Sequence, residues 1–108
     1  NGHGTFFGGS LATLGILAGW TAVFDGISRA GLAAQIVIQK SECEYPQPLV
    51  ADAVATATIA PADWARFIDT LCKHRRARIR VVTHIGDGDV LTAATHIGHY
   101  AARLEGVA

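Results

Sequence analysis

The chain has 108 residues, of which half are hydrophobic and 17% charged, and nine Lys+Arg balance nine Asp+Glu. That length suits one compact domain rather than two, and the apolar share excludes overall disorder. Zero net charge argues against a general nucleic-acid binder, which would be basic throughout. In chain order, the opening Asn1–Phe24 carries no Asp, Glu, Lys or Arg, and Gly2, Gly4, Gly8 and Gly9 lead into an apolar run from Ser10. The run predicts a helix from about Ser10 to Ile27, with Ser10 as N-cap and Gly31 as the break after it. Apolar on nearly every side, it reads as a helix buried all round. Leu11–Phe24 is shorter than the about 20 residues of a membrane span, and no basic leader marks a signal peptide. Gly15 and Gly19 form a small stripe suited to close packing on a sheet.

Ala34–Tyr45 reads as a strand that stops before Pro46. Ile36 and Ile38 are out of phase with Ser41, Cys43 and Tyr45, so a bulge near Gln39 or Lys40 is expected. Glu42 and Glu44 share the other face. Leu49–Ile59 reads as a second strand whose alanines let a helix approach. Pro61–His74 is the clearest amphipathic helix: Pro61 suits its first position, and Trp64, Phe67, Ile68 and Leu71 fall at i, i+3, i+4 and i+7. Ala77–Ile85 is a third strand with Ile79, Val81 and Thr83 on one face. Gly86-Asp87-Gly88-Asp89 marks a hairpin, and Val90–Arg103 a fourth strand. Helix, two strands, helix and hairpin make an α+β domain with an antiparallel sheet.

Chemistry is sparse. The glycine-led helix start can bring backbone N–H groups, with their partial positive charge, against a carbonyl or anion. Paired carboxylates at Glu42 and Glu44 could act in acid–base work if burial separated them, although a solvated strand face is the plainer reading. The five histidines make no HxH or HxxxH pair, and His96 and His99 face opposite ways on a strand, so no metal is expected. Lys73, Arg75, Arg76, Arg78 and Arg80 form a local basic patch that suits carrier phosphates, or equally protects a strand edge. Ser10 has no GxSxG around it and the glycine segment no GK[ST] ending, so neither a serine-hydrolase elbow nor a Walker A loop is present. Cys43 and Cys72, without a CxxC, read as two buried thiols in a reducing cytosol, which implies a cytoplasmic protein.

Asn1, Gly4-Thr5 and Phe7-Gly8-Gly9-Ser10 at the head of an apolar helix resemble the N-x-x-G-T-x-F-G-G-S opening of the YiiD-type C-terminal thioesterase family. That is a hot-dog-fold family found alone or behind a GNAT-type acetyltransferase domain. Ser41-Glu42 with Tyr45-x-x-Pro48, Asp63-x-x-x-Phe67 and Gly98-x-Tyr100 extend the likeness along the chain. The resemblance implies an antiparallel sheet wrapped around a long helix, one domain over 1–108, and a homodimer joined through sheet edges. A strand is expected ahead of Asn1. It implies acyl-thioester substrates on coenzyme A or acyl carrier protein, with no separate cofactor and no nucleic-acid or membrane partner. The amides of Phe7, Gly8 and Gly9 would polarise the thioester carbonyl, Asn1 would orient substrate or water, and Ser10 would cap the helix or hold water. Glu42 or Glu44 would supply a base across the dimer. His3, Thr5, Phe6, Phe7 and Tyr45 would line the substrate, and Arg75, Arg76 and Arg78 would hold its phosphates. Related enzymes carry a His where Phe7 stands and an acid near Ile16, and this chain has neither. A hot-dog dehydratase would need a catalytic His and a His-Phe-Pro segment that are missing. A non-catalytic acyl-binding or dimerisation module serving a fused or partner acetyltransferase is the alternative.

Overall fold

The structure, a computed structural model, describes residues 8–44, 54–86 and 94–106, with side chains from residue 12 onward. Its elements are α1 (Gly8–Arg29), β1 (Ala34–Glu44), β2 (Val54–Thr58), α2 (Pro61–His74), β3 (Arg76–Gly86) and β4 (Ala94–Leu104). Every strand pair is antiparallel and the sheet order is β1-β4-β3-β2. The sheet lies against α1, giving the α+β, hot-dog arrangement that the sequence implied.

The long helix is built differently from expectation at both ends. It begins at Gly8, so Ser10 stands inside the first turn rather than at the cap. It runs on to Arg29 and closes on Gly31, whose φ of +80° only glycine adopts readily. There the Gly31 and Leu32 amides donate to the Ser28 and Ile27 carbonyls at 3.0 and 3.1 Å, which satisfies two of the helix's last four acceptors. Nor is α1 buried all round. Gly15, Gly19, Val23 and Ile27, four residues apart, form the buried stripe, while Leu17 and Phe24 on the outer side are 56% and 46% exposed. Phe24 stacks on Trp20 with ring centroids 5.0 Å apart, and the Trp20 Nε1 donates to the Ile36 carbonyl at 3.1 Å, tying the helix to β1.

The stripe works by pairing missing Cβ atoms with large rings. The Tyr100 ring fills the space left by Gly19 above it and Gly98 beside it, and a Cβ at either glycine would collide with it. Its hydroxyl then donates to the Ile16 carbonyl at 2.8 Å, so a fully buried phenol is satisfied. Burial pushes that hydroxyl's pKa up to about 12, a backbone hydrogen bond at Trp20 pulling slightly the other way. Val23, Ile27, Phe67, Leu71, Ile79, Val81 and Tyr100 make the main core, to which α2 contributes from its expected apolar face. Ala55 and Ala57 of β2 are half-buried on the core side while Val54, Thr56 and Thr58 face out, as the alternation required.

The second strand is described only from Val54. The expected residues 49–53 of that strand, the hairpin residues 87–89 and the start of the fourth strand at 90–93 lie outside the described residues. Two free thiols were expected to be buried; Cys43 is half-buried, but Cys72 is exposed, because it sits one step past Leu71 on the solvent side of α2.

Candidate functional site

A single extra residue decides what faces the helix. Ile38 pairs with Tyr100 and Lys40 with His99, so Gln39 is looped out of register as a bulge. Before it, the even-numbered Ile36 and Ile38 point towards the core; after it, the odd-numbered Ser41 and Cys43 do. The phase change brings Ser41 onto the inner face beside β4. The Ser41 Oγ lies 2.7 Å from the His96 Nε2.

His96 itself is fully buried and sits directly beneath Gly15 of α1, where an added Cβ would strike its Cβ and ring. Cys43 and Thr83 flank it on β1 and β3 as its register partners. Its Nδ1 and the Oγ1 of Thr83 are both buried and lack a hydrogen-bond partner among the described residues. Native interiors rarely leave such groups unpaired. Desolvation lowers the His96 pKa below the usual 6.5, so the ring is neutral at pH 7. In the tautomer that carries its proton on Nδ1, the neutral imidazole accepts the hydrogen bond from the serine hydroxyl and can take its proton. Ser41 is exposed while His96 is not, so the pair presents its serine oxygen to solvent.

The structure separates the other expected site residues into three groups. Gly8, Gly9 and Ser10 form the first turn of α1, where backbone N–H groups have no helical partner. Glu42 and Glu44 are exposed on the outer face of β1, opposite the helix. Within one chain they are therefore on the side of the sheet away from His96. Glu42 lies 4.0 Å from both Lys40 and His99, weak surface contacts. Arg76 and Arg78 are likewise on the outer face, whereas Arg75 is the left-handed C-cap of α2, with φ of 64° and its amide on the Leu71 carbonyl at 2.8 Å. Asn1, His3, Thr5, Phe6, Phe7 and Tyr45 lie outside the described residues.

Ser41, His96 and Thr83 were not among the candidates read from sequence. The signal was present in two pieces: the phase break at Gln39, and the alternation Ala94, His96, Gly98, Tyr100, Ala102, which places His96 on the same face as the buried tyrosine. Neither piece shows that the two faces are the same one. Among the described residues no group of three or more His, Cys, Asp or Glu is placed to hold a metal ion, and no helix is long and apolar enough to cross a membrane.

The family model described as "Putative thioesterase (yiiD_Cterm)" matches residues 1–104. A protein of unknown function from Chlorobaculum tepidum has a similar structure, with a TM-score of 0.87 at 24% identity over 97% of this chain and 70% of that one. A Pseudomonas aeruginosa protein described as a "Probable Thioesterase" gives 0.76 at 17% identity, over 97% and 69% of the two chains. A third, a "putative thioesterase" from Shewanella oneidensis, gives 0.75 at 21% identity, over 95% and 68%. At these identities the three structures show a shared fold.

Proposed function

Because the chain belongs to the YiiD C-terminal thioesterase family, we propose that it is an acyl-thioester hydrolase acting on acyl groups carried by coenzyme A or acyl carrier protein. The observation that carries this reading is the Ser41–His96 hydrogen bond of 2.7 Å under the amino-terminal half of α1. The helix start, with the amides of Gly8 and Gly9, supplies the donors for the carbonyl oxygen, which gathers negative charge in the transition state. The Ser41 oxygen delivers the proton-accepting power of the neutral His96 to the carbonyl carbon. As the carbon–oxygen bond forms, the proton passes to His96 Nε2, and the tetrahedral intermediate collapses by expelling the thiolate. The thiolate takes that proton from His96 and leaves as the thiol; water then attacks the Ser41 ester, gives a proton to His96, and His96 returns it to the Ser41 oxygen as the acid is freed.

The proposed enzyme is a homodimer. His96 lies beneath Gly15, six residues beyond Gly9, or about 9 Å along the helix axis. A carbonyl group has to sit about 3 Å from both its nucleophile and its hydrogen-bond donors. In this reading the helix start of one copy lies at the Ser41–His96 pair of the other, so that two chains share the site. Leu17 and Phe24 of α1, exposed in the single chain, would be covered in such a pair.

A second reading has its own support. Ile16, where related enzymes place an acid, is apolar, and its carbonyl is engaged by Tyr100. That favours an acyl-binding or dimerisation module serving an acetyltransferase. A screen of acyl-CoA hydrolysis across chain lengths, read as thiol release, separates the two. The hydrolase reading expects turnover that falls about 100-fold or more in Ser41→Ala. Binding of acyl-CoA without hydrolysis at any chain length would establish the module instead.

A further inference from the structure

The outer face of the sheet carries a feature that hydrolysis at Ser41 does not use. Arg76 and Arg103 are direct cross-strand partners on β3 and β4, with Gln35 of β1 next in the same row. The following row is Arg78, Ala101 and Val37. Like charges directly opposite one another on a sheet face are destabilising, because the side chains stand within about 5.5 Å. Here no carboxylate among the described residues pairs with Arg76, Arg78 or Arg103, although Asp25, Asp63 and Asp69 neutralise basic residues elsewhere. The rows line a groove of about 580 Å³ that also takes in Gln39, the residue extruded by the bulge. That volume is within the range of small-molecule sites, roughly 300–1,000 Å³.

We propose that this groove binds a nucleoside phosphate. Arg76, Arg78 and Arg103 all line it, and their guanidinium groups suit phosphate oxygens, which an arginine grips two at a time. Val37, 56% exposed, and Ala101 make a flat apolar floor on which a base can lie. Gln35 and Gln39 bring amide donors and acceptors to the other rim, where base edges would sit. A polymeric nucleic acid fits less well, since the chain as a whole has zero net charge. A second copy of the chain on this face would set arginine against arginine. The inference is independent of the hydrolase reading. Arg103 is seven residues along β4 from His96, about 23 Å, and on the opposite face. A thioester at that chain's own His96 therefore cannot have its nucleotide end in the same chain's groove. The source is either a free nucleotide or the 3′-phosphorylated nucleotide of a coenzyme A.

Calorimetric titration of the full chain with ADP, 3′,5′-ADP, coenzyme A, adenosine and pyrophosphate tests this, with no turnover involved. At least one of the three nucleotides is expected to bind, with adenosine and pyrophosphate each about tenfold weaker or worse. Binding of ADP as tight as that of coenzyme A assigns the groove to free nucleotides; binding of 3′,5′-ADP and coenzyme A without ADP assigns it to the coenzyme. The pair Arg76→Gln, Arg103→Gln should weaken the nucleotide about 10- to 100-fold with a thermal melt that is not lowered, and Arg66→Gln, on α2, should change nothing. The proposal is overturned if no nucleotide binds at millimolar concentration, or if the double variant binds as before. Pyrophosphate binding as tightly as the nucleotides, or single-stranded RNA binding far more tightly than any of them, would overturn it as well.

Discussion

Replacing Gly15 by alanine tests the link between packing and site most directly. In an exposed helix interior the change would stabilise by about 1 kcal/mol, through the better helix propensity of alanine. At Gly15 the new methyl would meet the His96 Cβ and ring, with Nδ1 only 2.9 Å away. That ring is fully buried between three strands and α1, so it has nowhere to swing. Overpacking of this kind costs about 1–3 kcal/mol, and displacing the ring forfeits about 1 kcal/mol more with the Ser41 hydrogen bond. The propensity gain offsets only part, leaving a net loss of about 1–3 kcal/mol, or roughly 5–20 °C in Tm for a domain of this size. The assay is a thermal or urea melt of Gly15→Ala in two backgrounds, the unmodified chain and His96→Ala. With the ring gone there is room for the methyl, and the same substitution should become neutral or stabilising by up to about 1 kcal/mol. Thioester hydrolysis, measured well below the lowered Tm, should fall with the loss of the Ser41–His96 geometry. A Gly15→Ala protein more stable than the parent would refute the close approach of helix to histidine, and with it the position of the site.

The remaining expectations concern charge, caps and assembly. The His96 pKa is lowered in the folded chain, so between that value and 6.5 the unfolded chain binds more protons. Stability should therefore be fully present above pH 6.5 and fall as pH drops, by at most about 1.4 kcal/mol per pH unit; His96→Gln should remove that component from urea melts taken between pH 7 and 5. Tyr100 acts at the other end: with its folded value near 12 against 10.0, stability should fall as pH rises through that window, by at most about 3 kcal/mol. Tyr100→Phe should flatten the alkaline limb of the curve. Arg75 holds a left-handed conformation without being glycine, so Arg75→Gly should raise stability by about 0.5–1 kcal/mol and leave nucleotide titrations unchanged. Light scattering should show a dimer at micromolar concentration, weakened by Leu17→Glu on the exposed side of α1. A monomeric parent chain would remove the shared site.

Periodicity carried much of the fold. The four-residue repeat of α2, the strict alternation of β3 and the phase break in β1 follow from local geometry, since a helix repeats every 3.6 residues and a strand every two. These patterns were legible, and the structure places α2 at Pro61–His74, β3 at Arg76–Gly86 and the bulge at Gln39. Gly31 was legible as a helix stop for the same reason: a left-handed turn is a local property of one residue. The small stripe of Gly15 and Gly19 could be read as a place of close approach, but not as to what approaches. Sheet order decides that, by bringing His96 and Tyr100 of β4 beneath a helix some 80 residues earlier.

The same limit governed the candidate site. Glu42 and Glu44 were conspicuous because carboxylates on one strand face suggest chemistry, yet which face of β1 meets α1 depends on packing that alternation alone does not reveal. Ser41 and His96 are 55 residues apart, and neither belongs to a recognisable pair along the chain. Their contact exists because one bulged residue turns Ser41 inward and because antiparallel pairing sets Cys43 opposite His96. The arginine rows on the outer face have the same origin: Arg76 and Arg78 are neighbours in sequence, but only the β3–β4 register sets Arg103 against them. Local backbone preferences thus sufficed for the elements, though not for the first residue of α1. The meeting of side chains distant in sequence, which creates the buried pair and the basic groove, required the register and the order of the strands.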